Sequence, residues 1–311
     1  MISNNAGTEN GLESLACVVV NYNAGSLLQR CVESWSVAAP HSLLVIVDNA
    51  SSDDSLKFLR TYLHSASAVR LVRNEHNLGF SAAVNQGLGV ANADFSLVLN
   101  PDCVCTPRAV NAMLGVLRAQ PGVGMVGPML TNPDGSEQAG GRRAVPTPWR
   151  SFVRAFGLSG FGRRYPRLFS DFLLHHEPLP ALSVEVEAIS GACMLVKREA
   201  LEDVGLLDER YFMHCEDLDW CMRFRKNGWK ILFVPDAKIM HFKGACSRSR
   251  PLFVEWHKHK GMARFYRKFF RHQYPGVLMW LVTFGVWLRF GAVAIYYTVR
   301  RIRRLLRLVR G

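Results

Sequence analysis

The first 130 residues alternate between short apolar runs and amphipathic segments, and this alternation constrains the fold more than any other feature. The apolar runs are rich in β-branched residues, as is typical of buried strands, and they are LACVVVNYN, LLVIVDNAS, AVRLVRN and FSLVLNPD. The segments between them have the spacing of helices. This order predicts an α/β fold with a mostly parallel central sheet that helices cover on both faces.

Polar residues lie at or just after the ends of these strands, and they are Asn21, Asp48, Arg73, Asn77 and Asp102. Ligands of open α/β sheets bind beyond the carboxyl ends of the strands, so we expect these side chains to line one crevice. The turn after the first strand, NYNAGS, lacks the glycine pattern of dinucleotide-binding proteins, and the chain has no P-loop motif. The crevice therefore uses neither of the common phosphate loops.

Charge is distributed unevenly along the 311 residues, although the whole chain carries +13. Residues 242–311 hold 16 Lys and Arg against one acid, whereas residues 1–241 hold 22 against 24. The basicity thus belongs to the tail, and it gives no indication of a nucleic-acid partner. The eight cysteines form no paired framework, which indicates a reducing compartment such as the cytosol or the cytosolic face of a membrane.

The composition divides the chain into three parts. Residues 1–14 are polar, lack a secretory signal and are expected to be disordered. Residues 15–250 form the α/β domain, although the helix–strand pattern dissolves over 131–182. That stretch is rich in Pro, Gly, Arg and aromatic residues, which predicts an irregular loop or an acceptor lid. Residues 251–311 form a basic tail.

Six motifs occur in a fixed order between residues 15 and 245. They are VVVNYN, VIVDNASSDDS, NEHNLGFSAAVNQGL, LVLNPD, ISGACMLVKREALEDVGLLDERYF and EDLDWCMRFRKNGWK. Together they resemble the inverting glycosyltransferases of family two, which have the GT-A fold, and most closely the rhamnosyltransferase-like branch. The resemblance implies a crevice that binds a nucleotide-sugar donor.

In this family the acid after the second strand recognises the base of the nucleotide. The resemblance assigns that role to Asp48, whose carboxylate suits the imide N–H of uracil or thymine; the alternative is a turn-capping Asp. Asn21 is assigned to the same donor site. Asn77 and Gly79 are assigned to the donor site as well. The small residues Gly79 and Ala83 would let the backbone approach the nucleotide, and tight packing of helix on sheet is the alternative role.

The family holds a divalent cation with a D-x-D motif, which is replaced here by Asn100-Pro101-Asp102. Asn100 brings no charge and is expected to bind a hydroxyl of the donor. The resemblance implies that Asp102 and His241 are the metal ligands. One carboxylate combined with diphosphate oxygens and water suits Mg²⁺ or Mn²⁺.

Three carboxylates, those of Glu216, Asp217 and Asp219, lie within four positions at the start of a predicted helix. Helix capping explains one of them. Displacement with inversion needs one base for the acceptor hydroxyl, and the resemblance assigns it to Asp217. Glu216 and Asp219 are expected to position the acceptor or the helix, and Trp220 offers a flat apolar face on which a sugar can stack.

The segment SGACM is expected from the resemblance to line the pocket for the donor sugar and the acceptor. Gly191 and Ala192 would leave room there for the sugar ring.

The segment MARFYRKFFRHQYPG predicts a basic amphipathic helix. Its apolar face contains Met262, Phe265, Tyr266, Phe269 and Phe270, and its other face carries Lys and Arg. Such a helix is typical of a membrane surface. The alternative is that this face packs on the catalytic body.

Residues 276–299 follow as a largely apolar segment that is long enough to span a bilayer, although Arg289 interrupts it. Both flanks are basic, so the positive-inside rule gives no orientation. An anionic lipid surface would attract both flanks, which favours association with the cytoplasmic face of the bacterial inner membrane, whether the segment crosses or lies in the leaflet. A hydrophobic partner subunit is the competing explanation.

The sequence therefore predicts a metal-dependent inverting transferase for bacterial cell-surface polysaccharide. Its expected donor is dTDP-L-rhamnose, and its expected acceptor is a glycan linked to polyprenyl diphosphate. The alternatives are a UDP- or GDP-sugar donor, or a membrane-bound scaffold that is catalytically idle because its metal motif is degenerate.

Overall fold

The structure is a computed structural model that describes residues 14–59, 69–244 and 250–310. The predicted strands and helices form one central sheet with helices on either side. The strands are β1 (Leu15–Asn21), β2 (Leu43–Asp48), β3 (Val69–Arg73), β4 (Phe95–Leu99), β5 (Cys103–Val104), β6 (Val123–Thr131), β7 (Arg142–Arg143), β8 (Val184–Glu185), β9 (Ala188–Ile189), β10 (Cys193–Lys197) and β11 (Lys230–His241). The helices are α1 (Ser26–Ala38), α2 (Phe80–Ala91), α3 (Pro107–Ala119), α4 (Pro148–Ala155), α5 (Pro166–Phe169), α6 (Arg198–Val204), α7 (Glu216–Lys226), α8 (Pro251–Phe270) and α9 (Gly276–Arg310).

The sheet has the order β3-β2-β1-β4-β10-β6-β11-β5, and β8 also pairs with β11. Strands β3, β2, β1 and β4 are parallel, as are β6 and β11. Strand β10 is antiparallel to both of its neighbours, so the sheet is more mixed than the sequence predicted. A long connection between β6 and β10 allows this reversal, because the chain re-enters the sheet from the edge at which β4 ends.

Two apolar layers cover the sheet, as the continuous apolar runs predict. Along β1, Ala16, Val18 and Val20 contribute to the layer that contains α2, α7 and α8. The intervening Cys17 and Val19 contribute to the layer of α1 and α3. Successive side chains of a strand point to opposite faces, so an uninterrupted apolar run is what a strand buried on both faces requires.

The register of the parallel strands brings their carboxyl ends together. Asn21 of β1 lies opposite Asp48 of β2, and Asp48 lies opposite Arg73 of β3. This edge is where the sequence places its nucleotide crevice.

The segment 131–182, which was predicted to be irregular, contains α4, α5, short 3-10 turns and the two-residue strand β7. Strand β7 pairs with β9 in a separate two-stranded sheet. The guanidinium of Arg142 is buried and binds the carboxylate of Glu137 at 2.8 Å. These contacts attach the start of the segment to the catalytic body. Residues 1–13 of the stretch 1–14 that was predicted to be disordered lie outside the described residues.

The apolar face of α8 packs on the body and not on a membrane. Phe265, Tyr266, Phe269 and Phe270 are all at most 6% exposed and belong to the layer of α2 and α7. The membrane-surface interpretation of this face is therefore wrong, and the alternative of packing on the catalytic body is correct. Burying aromatic surface here also fixes the direction in which the chain leaves the domain.

Helix α9 is different, because most of it is exposed. Among the described residues, one segment is long and apolar enough to cross a membrane by length and composition, namely Gly276–Arg303 with a mean hydropathy of 1.8. Only 11% of its apolar window is buried. Val277 and Trp280 are 74% and 64% exposed. The helix is thus a candidate for membrane association.

Gly87 of α2 permits close contact with β1, since a Cβ there would lie 2.2 Å from Cγ1 of Val18. We expect Gly87→Ala to destabilise the protein by about 1–3 kcal/mol through overpacking. Gly89 of the same helix has no neighbour within 4 Å of its would-be Cβ. Gly89→Ala is therefore the matched control and should stabilise by about 0.5–1 kcal/mol. Thermal unfolding followed by circular dichroism measures both; equal effects of the two substitutions would contradict this packing.

Candidate active site

Asp102 and His241 meet where β5 pairs with β11. Nε2 of His241 lies 3.2 Å from Oδ1 of Asp102, and the two residues are 7% and 5% exposed. Oδ1 of Asp102 accepts no hydrogen bond from the residues that the structure describes. A buried carboxylate oxygen without a donor is unfavourable unless a ligand satisfies it. Both residues that were predicted as metal ligands therefore lie together at the edge of the sheet.

Gln138 determines which nitrogen of His241 carries the proton. Its Nε2 donates to the carbonyl of His241 and to Oδ1 of Asn132, both at 3.0 Å, so its Oε1 must be an acceptor. Nδ1 of His241 lies 2.6 Å from this Oε1 and consequently donates its proton to it. Nε2 of a neutral His241 is then free to bind a cation, beside the carboxylate of Asp102.

Cys103 lies within 4.8 Å of the ligand atoms of Asp102 and His241 but does not suit the same cation. Burial raises the pKa of its thiol well above the ordinary value, and the nearby cysteines and Asp102 raise it further. The thiol lies 3.5 Å from the carbonyl of Ala192, to which it donates. Mg²⁺ and Mn²⁺ prefer oxygen ligands to sulfur, so the donor set that suits them is one carboxylate and one imidazole. This set fits Mg²⁺ or Mn²⁺ that is also coordinated by a diphosphate and water.

Asp217 lies at the start of α7, where backbone donors hold its carboxylate. The N–H of Gly191 donates to Oδ2 at 3.0 Å, and the N–H of Leu218 donates to Oδ1 at 2.8 Å. A guanidinium nitrogen of Arg143 also pairs with Oδ2. Burial alone would raise the pKa of Asp217, but Arg143 and the backbone donors outweigh it and lower this pKa. Asp217 is therefore anionic at neutral pH.

Glu216, the immediate neighbour of Asp217, has its pKa shifted in the opposite direction. Its Oε2 is buried and has no hydrogen-bond partner in the part of the chain that the structure describes. Burial raises its pKa to about 8, and the charge of Asp217 contributes to this increase. Two adjacent carboxyl groups thus differ in charge near pH 7, and only Asp217 is available as a base.

The turn before α7 has an unusual backbone. His214 and Cys215 have φ of 64° and 69°, the left-handed region that non-glycine residues rarely adopt. This strained pair directs the next two carboxyl groups into the crevice. A Cβ on Gly191 would lie 3.2 Å from Cβ of Asp217, so glycine is needed for this approach.

A short path of contacts joins Asp217 to the metal site. The N–H of Gly191 binds Asp217, and the carbonyl of the next residue, Ala192, accepts from the N–H of Asn100 at 2.9 Å. Asn100 lies two residues before Asp102 and is partly exposed. The predicted base, the sugar-pocket residues and the metal ligands therefore share one edge of the sheet.

Asparagine side chains form hydrogen bonds at the ends of β1 and β2, where the sequence predicts the nucleotide. Nδ2 of Asn21 donates to Oδ1 of Asp48 at 2.8 Å, and the fully buried Asn21 positions that carboxylate but does not face the crevice itself. The N–H of Ser51 also approaches Asp48, at 3.3 Å, so the turn-capping role of Asp48 is present as well. Asn77 is hydrogen-bonded to Asn49 at 2.9 Å.

Gly79 has φ of 90°, and a Cβ there would lie 2.7 Å from the carbonyl oxygen of Phe212. The same carbonyl accepts from the N–H of Phe80 at 2.7 Å. The packing role that was the alternative for Gly79 is thus visible, and it connects the start of α2 to the loop before α7.

Two predicted acceptor residues do not line the crevice. Trp220 is fully buried, donates from its indole N–H to Gly205 at 2.9 Å and packs edge-on against Phe224. Asp219 is also fully buried and pairs with Arg223 at 2.8 Å and Lys268 at 2.5 Å. The expectation of a sugar-stacking face on Trp220 is therefore wrong, and for Asp219 the alternative of positioning the helix is correct. Both side chains lie on the sides of α7 that face the core and α8.

Arg143, Gln138 and Asn49 were not singled out by the sequence. Arg143 and Gln138 lie in the stretch without a periodic pattern, and their contacts are with residues 74 and 103 positions away. Asn49 directly follows Asp48, and its position after a strand was the one available signal.

The mixed central sheet, with Asp217, the Asp102–His241 pair and the strand-end residues gathered at one edge, is the arrangement of the GT-A glycosyltransferase class. Solved structures share the fold. GalNAc-T7 with UDP, GalNAc and Mn²⁺ has a TM-score of 0.57 at 19% identity over 75% of this chain and 44% of that one. The mannosyltransferase PcManGT from Pyrobaculum calidifontis, in complex with GDP-Man and Mn²⁺, has a TM-score of 0.56 at 16% identity over 84% of this chain and 65% of that one.

The chain belongs to the glycosyltransferases like family 2, whose family model matches residues 13–254. Among characterised relatives, the N-acetylglucosaminyl-diphospho-decaprenol L-rhamnosyltransferase of Mycobacterium tuberculosis is 30% identical over 309 residues, which cover 96% of this chain and 98% of that protein. The rhamnosyltransferase WbbL of Escherichia coli is 21% identical over 75% of this chain and 84% of that protein. The protein is therefore a glycosyltransferase, as the sequence predicted.

If Gln138 orients His241, its loss should weaken the cation site. We expect Gln138→Leu to reduce the affinity for Mn²⁺ by about 10–100-fold, because Nδ1 of His241 loses its acceptor. Titration of Mn²⁺ followed by electron paramagnetic resonance measures this without substrate. The exposed Gln120 provides the control Gln120→Leu, which should bind Mn²⁺ as the wild type does. Unchanged affinity in Gln138→Leu would contradict the assigned role.

The raised pKa of Glu216 predicts a pH dependence of stability. Between its ordinary pKa of 4.5 and about 8, the folded protein retains a proton that the unfolded chain releases. The contribution of Glu216 to stability is therefore fully present below pH 4.5 and is lost as pH rises toward 8. Glu216→Gln mimics the neutral acid at every pH. The unfolding free energy of this variant should therefore rise relative to that of the wild type between pH 5 and pH 8.

Unfolding by denaturant at a series of pH values tests this expectation. The exposed Glu202 offers the matched control Glu202→Gln, which should follow the wild type throughout. A constant difference between Glu216→Gln and the wild type would show that Glu216 is ionised in the folded protein.

Proposed function

We propose that this enzyme transfers an L-rhamnosyl group from dTDP-L-rhamnose to N-acetylglucosamine that is linked to polyprenyl diphosphate. The observation that carries the proposal is the 30% identity to the mycobacterial rhamnosyltransferase over nearly the whole length of both chains. Similarity of this extent includes the acceptor-facing elements and the C-terminal helices as well as the nucleotide-binding half.

Asp217 is the proposed base. Its carboxylate takes the proton of the acceptor hydroxyl while the hydroxyl oxygen forms a bond to the anomeric carbon. The bond between that carbon and the diphosphate oxygen breaks, and its electron pair leaves with the nucleoside diphosphate. Attack from the face opposite the leaving group inverts the anomeric centre.

The protonation states of the adjacent carboxyl groups of Glu216 and Asp217 support this role. Asp217 is anionic because Arg143 and two backbone N–H groups stabilise its charge. Glu216 remains mostly neutral near pH 7 and does not add a second charge. Oδ1 of Asp217 receives a backbone hydrogen bond, and Arg143 pairs with Oδ2, so the two oxygens have different environments.

The donor is proposed to lie along the strand ends from Asp48 to Asp102. The carboxylate of Asp48, which Asn21 holds, accepts the imide N–H of the base. Asp102 and His241 would hold Mg²⁺ or Mn²⁺, which neutralises charge on the departing diphosphate when it is bound. Asn100, beside them, is neutral and suits a hydroxyl of the donor. Thymine and uracil present the same imide, so a UDP-sugar remains the alternative donor.

The enzyme is proposed to act at the cytoplasmic face of the bacterial inner membrane. The largely exposed helix α9 is apolar over Gly276–Arg303 and is followed by a cluster of arginines. Apolar exposed surface next to basic residues is what an anionic lipid bilayer would cover. A lipid-linked acceptor would be presented at the same surface.

The experiment that tests the proposal is transfer from a panel of sugar nucleotides to a prenyl-diphosphate-linked N-acetylglucosamine, with products identified by mass spectrometry. We expect transfer from dTDP-L-rhamnose. Transfer from a UDP- or GDP-sugar alone would replace the donor assignment, and binding of no nucleotide by calorimetry would favour the idle scaffold.

In that assay we expect Asp217→Asn to lower kcat by about 10²–10⁴-fold, because the amide cannot accept the proton. Donor binding, measured by calorimetry, should be retained. Asp236 lies exposed on β11, so Asp236→Asn is a matched control that should keep the wild-type rate. A rate within a few-fold of wild type for Asp217→Asn would remove Asp217 as the base.

A further inference from the structure

Three cationic side chains from different parts of the chain lie near one another beside Asp217. Arg143 pairs with the carboxylate of Asp217. Burial lowers the pKa of Lys243, and the charges of Arg143 and Lys258 lower it further. Arg143 comes from β7, Lys243 from the residues just after β11, and Lys258 from α8. The metal site does not account for them, since its ligands are Asp102 and His241. We propose that these three residues, the cationic cradle, bind the diphosphate of the lipid-linked acceptor; this inference rests on the proposed function.

The position of Lys258 follows from the packing of α8. A Cβ on Gly261 would lie 2.7 Å from the carbonyl oxygen of His214, so α8 touches the strained turn that precedes Glu216 and Asp217. Lys258 lies three residues before Gly261 and therefore on the same face of the helix. Burial lowers the pKa of His214, and Lys258 lowers it further, as expected of a neighbouring cation.

Lys243 is held against the segment that precedes Arg143. Its ammonium donates to the carbonyl of Ala139 at 2.7 Å. The next residue, Gly140, lies beside the aliphatic part of Arg143, since a Cβ added to Gly140 would lie 3.9 Å from Cδ of Arg143. A carbonyl partner orients the ammonium of Lys243 but leaves its charge uncompensated.

Arg143 has donor capacity that the folded chain does not use. One terminal nitrogen pairs with Asp217 and also donates to the carbonyl of Ile189 at 2.7 Å. Its Nε is buried and has no hydrogen-bond partner in the described parts of the chain. A buried N–H without an acceptor is rare in native proteins and points to a ligand that supplies one.

The carboxylates nearby leave a surplus of positive charge. Asp217 faces Arg143, and Glu255 lies 3.3 Å from Lys258. Glu216 is mostly neutral near pH 7, so three cations meet two anions. An anionic group would relieve the repulsion among the three, and Arg and Lys are the side chains that bind phosphate oxygens.

The place of the cradle favours the diphosphate of the acceptor over that of the donor. The donor diphosphate belongs at the cation site of Asp102 and His241. The acceptor hydroxyl must meet Asp217. The acceptor diphosphate is attached to the same sugar ring as that hydroxyl, so the two groups are separated by no more than the width of the ring. Lys258 lies on α8, which continues toward the apolar helix α9, where the lipid chain would run.

The test uses the full-length protein in detergent and two acceptors with the same prenyl tail. One carries N-acetylglucosamine on a diphosphate, and the other carries it on a neutral ether. For Lys243→Gln and Lys258→Gln we expect KM for the diphosphate acceptor to rise about ten-fold. KM for the donor and the rate with the neutral acceptor should be unchanged. Lys260→Gln, an exposed cation on the same helix, is the matched control and should behave as wild type.

Equal losses with both acceptors would overturn the proposal, because the lysines would then be structural. A rise in donor KM without a rise in acceptor KM would also overturn it by assigning the cradle to the nucleotide. Direct binding of the diphosphate acceptor, measured by calorimetry without any donor, separates this proposal from the donor assignment. A Lys258-dependent affinity supports the cradle even if rhamnose is not the sugar transferred, and an affinity unchanged by both substitutions refutes it.

Discussion

The buried ion pair between Arg143 and Asp217 is the interaction on which the site depends. It joins the two-stranded sheet of β7 and β9 to the start of α7, two parts of the chain that are 74 residues apart. Hydrogen bonds to the remaining polar atoms stabilise a largely buried pair of this kind, although Nε of Arg143 has none in the described parts of the chain. Gly191 and Leu218 supply N–H groups to the carboxylate, and the carbonyl of Ile189 accepts from the guanidinium. The fold thus holds the carboxylate of Asp217 in one position.

The loop that leads into Asp217 is held from the nucleotide side of the crevice. The hydroxyl of Ser81 donates to the carbonyl of Tyr211 at 2.7 Å, and Nδ2 of Asn85 donates to the carbonyl of Leu207 at 2.9 Å. Asn49, which follows Asp48, donates to the carbonyl of Gly79 at 3.1 Å. The motif GFSAAVNQG therefore fixes the loop that leads into Asp217 as well as the turn after β2. Loss of one of these hydrogen bonds would therefore affect both the turn after β2 and the loop before α7.

Local patterns were sufficient for the longer strands and for the edge at which they end, whereas the pairing of Asp102 with His241 was implied by the family resemblance. They were insufficient wherever a side chain's environment depends on a distant segment. Trp220 and Asp219 follow Asp217 on a helix, and which side of that helix is buried depends on α8, some 40 residues later. Arg143 belongs to a two-residue strand that has no periodicity to detect. The antiparallel insertion of β10 has the same origin, since an apolar run of five residues contains no information on its direction in the sheet.

Ion pairs also set the orientation of α8. Asp208 binds Arg264 and Lys268, both at 3.0 Å, and Lys268 reaches Asp219 as well. Burial would raise the pKa of Asp208, but these cations and Arg210 outweigh it and lower this pKa strongly. The contacts, together with the buried aromatic face, make α8 a wall of the active site. The same helix leads to the exposed apolar helix α9. In the proposed function, α8 would therefore join a membrane-associated α9 to the turn that carries Asp217.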